Sequence, residues 1–174
     1  KTMIQWVIDC LNIKANYIFI VRAEHQKKYN LKHLLQALIP KCKVLETNGL
    51  TEGAASTTLL ARDFIDNNNP LIISNSDQFI DWNSGKSMYK FTSKNADGGI
   101  LTFKSLHPKW SYAKTDEFNC VSEVAEKKVI SNNATVGIYY WKRGSDYVKY
   151  CDQMIKKNIR VNNEFYVCPV FNEA

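Results

Sequence analysis

What this chain lacks narrows its functions before any motif is read. No apolar stretch approaches the roughly 20 residues that a membrane-spanning helix needs, and no charged-then-apolar leader pattern opens the chain. A membrane partner is therefore not expected, and a cytoplasmic location is. Histidine is sparse: His25, His33 and His107 have no partner at catalytic spacing, and no serine or cysteine nucleophile arrangement accompanies them. Covalent catalysis is not expected. The five cysteines, at 10, 42, 120, 151 and 168, are odd in number and far apart, without CxxC or Cys/His spacing. That pattern suggests neither a disulfide framework nor a zinc site. A net charge of +6, from 23 Lys+Arg against 17 Asp+Glu, favours anionic partners. The lysines are scattered over solvated faces, however, with no basic stripe interleaved with aromatics, so nucleic acid is not expected. Linkers, repeats and low-complexity tracts are also missing, and residues 1–174 read as one domain.

Helical and strand patterns alternate along the first half. Met3, Ile4, Val7, Ile8 and Leu11 are spaced for one helix face, and "YIFIV" (17–21) follows as a strand. A second helix lies within "KYNLKHLLQAL", closed by Pro40 before the strand "KVLE". "GAASTTLLARDFI" (53–65) forms a third helical pattern, which Asn67, Asn68 and Asn69 stop before the strand that begins at Leu71. Strands apolar on both faces between helices predict an α/β fold: a three-layer, Rossmann-like, mixed but mainly parallel sheet with helices on both sides. In the second half, "GGILTF", "SYAK", "CVSEVA" and "TVGIYYW" are strands of a locally antiparallel or mixed extension, and "SDYVKYCDQMIKKN" is an amphipathic helix with Ser145 as its N-cap.

In open α/β sheets ligands collect at the carboxyl ends of the strands. Asp77, in "PLIISNSDQF", follows such an end, and it is either a turn cap or a Mg²⁺ ligand, since that hard cation binds through one or two carboxylates plus substrate phosphates. Asp81 is either a surface residue or an assistant through water. Thr51, Glu52, Gly53 and Ala54 are either a plain helix start capped by Thr51 or a loop whose glycine lets a flat base approach and whose helix N-terminus favours an anion. Glu126 and Lys127 form either an exposed charged turn or a phosphate- and hydroxyl-binding pair. Gly99 marks a tight start to a strand or a close approach of ligand.

The ordered set "LTEGAASTTLLARDFI", "PLIISNSDQFIDW", "GGILTF", "EVAEKK", "ATVGIYYW" and "NNEFYVCPVFNEA" resembles the sugar-phosphate nucleotidyltransferase family, most of all its bacterial capsule and surface-polysaccharide branch, some of whose members are labelled family 2 glycosyltransferases. The resemblance implies a GT-A-like fold and transfer of a nucleotide from an NTP to a phosphorylated sugar or related alcohol, with release of pyrophosphate. It makes Asp77 the Mg²⁺ ligand and, with Lys127, catalytic. Thr51, Glu52, Gly53, Ala54 and Asn75 fall on the nucleotide side. Gly99, Glu126, Lys127, Val136, Gly137, Tyr139, Asn162 and Glu164 fall on the acceptor side. The family's glycine-rich loop with its arginine and Lys-Pro pair is not found here, nor is the later region with a further aspartate, and Lys128 replaces the proline after the Glu-Lys pair. The chain is accordingly expected to be a piece of a longer enzyme, truncated at both ends and weakly active or inactive by itself. Glycosyl transfer from a nucleotide-sugar donor and a non-catalytic nucleotide-binding module are the alternatives, and homo-oligomerisation is left open.

Overall fold

The computed structural model describes all 174 residues. Helix α1 (Met3–Leu11) starts at Thr2, whose hydroxyl accepts the Gln5 N–H, and ends at Asn12 in the left-handed conformation. Strand β1 (Ile18–Arg22) leads into α2 (Ala23–Tyr29) and α3 (Leu31–Leu38), which are separated by Asn30 at φ 48°, and then β2 (Lys43–Thr47). The 53–65 helical pattern is realised as α4 (Ala54–Thr58), a 3₁₀ turn (Leu59–Ala61) and α5 (Arg62–Ile65). After β3 (Leu71–Ser74) comes α6 (Ser84–Ser93), a helix that the apolar periodicity does not announce. Strands β4 (Gly98–Lys104), β5 (Ser111–Thr115), β6 (Val121–Glu126) and β7 (Asn133–Trp141) precede α7 (Gly144–Lys156) and a 3₁₀ segment (Cys168–Glu173). The N-cap of α7 is Arg143 rather than Ser145, and it makes no side-chain cap bond.

The fold is mixed α/β as expected, and the second half is antiparallel, but the sheet as a whole is not mainly parallel. The one parallel ladder joins β1 to β2, whereas the five-stranded group of β3, β4, β5, β6 and β7 is antiparallel throughout. Burial on both faces produced the misreading, because it gives a strand the same apolar string whichever way its neighbours run. The alternation of side chains across the sheet shows the two covered faces. Leu71, Ile73, Ile100, Tyr139 and Trp141 point into the larger core with α7, while Ile72, Leu101, Val136 and Ile138 meet Val7 and Leu11 of α1. Trp141 anchors the larger core, its ring stacked on Phe171 at 4.3 Å.

The two ladders do not join. β1 pairs only with β2 and β3 only with β7, so each keeps a free edge. Between them lies a cleft of about 630 Å³ lined by Ile18, Phe19, Leu71 and Ile72, with Asn75 and Ser76 at its rim.

Candidate active site

Strand β7 organises the site. β4 holds one edge of β7 both at 139–141 and at 133–135, so β3, paired with 138–141, and β5, paired at Ala134, share the other edge. The sheet opens where β3 leaves and β5 has yet to begin, beside Val136 and Gly137. The β4–β7 register also shifts at this point, between Ile100 and Thr102. Gly137 has φ +74°, a conformation glycine adopts without steric cost, and a Cβ there would run into the Asn75 side chain. Asn75 N–H in turn donates to the Gly137 carbonyl at 3.0 Å.

Asp77 lies just past this junction. It is exposed, forms no ion pair, and is the first charge beyond the end of β3. No group of three or more His, Cys, Asp or Glu side chains surrounds it. A single open carboxylate fits Mg²⁺ held jointly with substrate phosphates rather than in a cage made by the protein. The neighbouring Gln78 has its Nε2 buried without a hydrogen-bond partner. Asp81 faces a separate cleft of about 670 Å³ beside Trp6 and Trp82.

Across the opening, β6 ends on Glu126, opposite Ser111 at the start of β5. The Ser111 hydroxyl donates to Glu126 Oε2. Burial pushes the Glu126 carboxyl up from its ordinary value, against the opposing pull of the Ser111 bond and the Lys127 charge. Lys127 turns away in the left-handed region, φ 53°, with its backbone N–H donated to the Trp110 carbonyl at 3.1 Å. Its exposed ammonium donates to Tyr166 Oη at 2.9 Å. That bond is the main cause of a raised Lys127 pKa, with the charges of Glu126 and Glu164 adding to it. Asn162 (φ 49°) and Glu164 belong to the tight turn at Val161–Glu164 alongside.

The turn Thr51–Ala54, expected on the nucleotide side, is tied to that same segment. Phe165 N–H donates to the Glu52 carbonyl at 2.8 Å, and Ala55 N–H donates to the Phe165 carbonyl at 2.9 Å. Gly53, φ +124°, permits this crossing, since a Cβ would stand 2.5 Å from the Phe165 oxygen. Glu52 Oε2 accepts from Arg160, whose guanidinium lies 3.9 Å from the Phe165 ring centre. Thr51 is not the helix cap: Gly53 is, and the Thr51 hydroxyl bonds Thr57 and the Gly53 carbonyl. With only five residues and its Ala55 N–H already donated, α4 is also a poorer anion site than its sequence suggests.

Two of the expected acceptor residues lie behind the surface. The space over Gly99 is filled by the Phe91 ring, which stacks on Tyr140 at 5.2 Å, so the glycine serves packing and not ligand approach. Tyr139 is 5% exposed and its hydroxyl shares a hydrogen bond with Thr135, which makes it core support. Val136 is half-buried against the α1 side. Sequence reasoning missed Ser111, Phe165 and Tyr166; their partners lie far along the chain, and no spacing rule connects them.

Comparison with known proteins gives this arrangement a family. The model described as Nucleotidyl transferase matches residues 1–165. The chain belongs to the nucleotidyl transferase family. The fold of this nucleotidyl transferase is shared with solved structures. A nucleoside-diphosphate-sugar pyrophosphorylase from Vibrio cholerae RC9 is 23% identical, with a TM-score of 0.81 over 99% of this chain and 75% of that one. A putative glucose-1-phosphate thymidylyltransferase from Bacillus anthracis is 17% identical, with a TM-score of 0.69 over 98% and 68%. The inositol-1-phosphate CTP transferase from T. maritima is 13% identical, with a TM-score of 0.72 over 99% and 67%. None of the curated protein sequences matches the chain.

Proposed function

We propose that this nucleotidyl transferase joins an NTP to a phosphorylated sugar or related alcohol and releases pyrophosphate, supplying precursors for surface polysaccharide. One observation supports the reading: the end of β3 that leads into Asp77 and the end of β6 that leads into Lys127 border the same short opening along β7, between Ala134 and Gly137. The acceptor phosphate oxygen attacks the α-phosphorus in line, the α–β phosphoanhydride bond breaks, and pyrophosphate leaves with the bond electrons. Lys127 neutralises the incoming acceptor phosphate, Glu126 accepts from acceptor hydroxyls, and the turn Thr51–Ala54 with Asn75 holds the nucleotide. Asp77 would hold Mg²⁺, which when bound supplies charge neutralisation at the phosphates. No protein nucleophile is required. No helix is long and apolar enough to cross a membrane.

The test is product identity. The full-length protein, incubated with each NTP and a panel of sugar phosphates, is expected to release pyrophosphate. Asp77→Ala should lower that rate by about 100-fold or more, the several kcal/mol a metal-binding group supplies. Release of free nucleoside diphosphate from a nucleotide-sugar donor would replace this reading with glycosyl transfer.

A further inference from the structure

Lys127 is a flexible, exposed side chain on a left-handed residue at the end of a strand, and by itself it has no fixed position. The structure gives it one contact that restrains the ammonium, the hydroxyl of Tyr166. Tyr166 is itself held from both sides. On one side Phe165, 1% exposed, is bonded through its own N–H and C=O to Glu52 and Ala55. On the other side, Asn172 clamps the chain to β6 by accepting from Val124 N–H at 2.8 Å and donating to the Val124 carbonyl at 2.9 Å. Tyr166 therefore connects the nucleotide turn to the strand that ends in the Glu126–Lys127 pair.

We propose that Tyr166 is a positioning residue: seated against the nucleotide turn by Phe165, it holds the Lys127 ammonium where the acceptor phosphate arrives. The inference rests on the reading of Lys127 as the acceptor-phosphate group. The charged and titratable groups facing Lys127 are Glu126, Glu164 and Tyr166. Both carboxylates attract the ammonium without directing it, while the phenol gives it a direction. The bond to Tyr166 also favours the protonated lysine, so losing it lowers the pH at which Lys127 discharges.

Steady-state kinetics on the full-length protein with Lys127→Met, Tyr166→Phe and the double variant test this. Lys127→Met is expected to raise the KM for sugar phosphate about 30-fold, and Tyr166→Phe about five- to tenfold, with the KM for NTP and the Tm unchanged. Added to Lys127→Met, Tyr166→Phe should have no further effect. The alkaline limb of kcat/KM for the acceptor should move to lower pH in Tyr166→Phe. Lys127→Met that is damaged alongside a silent Tyr166→Phe, or an additive double variant, overturns the positioning role alone. A silent Lys127→Met overturns the acceptor reading and the positioning role with it.

Discussion

The two carboxylates of the proposed site differ in their surroundings, and their expected behaviour differs accordingly. Asp77 is exposed and unpaired, so Asp77→Asn should leave the Tm within about 1 °C while removing most activity, a combination that a merely structural carboxylate would not give. Glu126 is partly buried, and its pKa is raised on folding. The native state therefore binds its proton more tightly than the unfolded chain does. Relative to a neutral isostere, the carboxyl costs nothing below its unfolded value and becomes a penalty as pH rises through the raised native value. Glu126→Gln, which keeps an acceptor for Ser111, should raise the Tm at pH 7 and lose that advantage near pH 4. An equal Tm difference at both pH values in thermal melts would contradict the burial argument. The places of Asp77 and Lys127 just past strands and of Gly137 within one were legible, because each sits in a short stretch whose neighbours carry the strand signal. Tyr139 and Gly99 show the limit of such reading: the ring and the missing side chain are real features of the strands, but they face the core.

At the scale of elements, helices with a clear apolar stripe and strands apolar on both faces were read directly. Helix α6, "SGKSMYKFTS", was not, since it opens on Ser84 and Gly85 and has no continuous apolar face. It begins because Asn83 accepts the Lys86 N–H at 2.8 Å, a cap that a search for hydrophobic period passes over. The turn at Gly53 offers the clearest test of an element joint. Gly53→Ala combines a left-handed φ with a Cβ placed against the Phe165 backbone, and should destabilise the protein by about 1–3 kcal/mol from strain alone. Denaturant unfolding measures that cost. Because Phe165 has to shift, the acceptor KM should rise together with the NTP KM, whereas strain confined to the turn would change the NTP KM alone.

On the scale of the whole molecule, the division into two ladders is what the sequence could not show. "YIFIV" and "PLII" are strings suited to central strands, yet β1 and β3 each present an unpaired edge. Unpaired apolar edges are templates for association between chains. Light scattering of this polypeptide should therefore increase with concentration, and Phe19→Lys, which puts a charge beside the β1 edge, should suppress the increase without lowering the Tm by more than about 3 °C. Scattering that Phe19→Lys leaves unchanged would place the sticky surface elsewhere.

The strap of backbone bonds at Phe165 also has a bearing on how the molecule comes into being. Glu52 and Arg160, which flank that strap, are separated by 108 residues of chain. A contact of such high sequence separation is expected to form after the strands and helices between the two residues have brought its ends close. During synthesis the turn around Gly53 and the strand ending in Lys127 emerge early and exist as unrelated surfaces. The two surfaces are joined only when the later segment at Phe165 folds back across both.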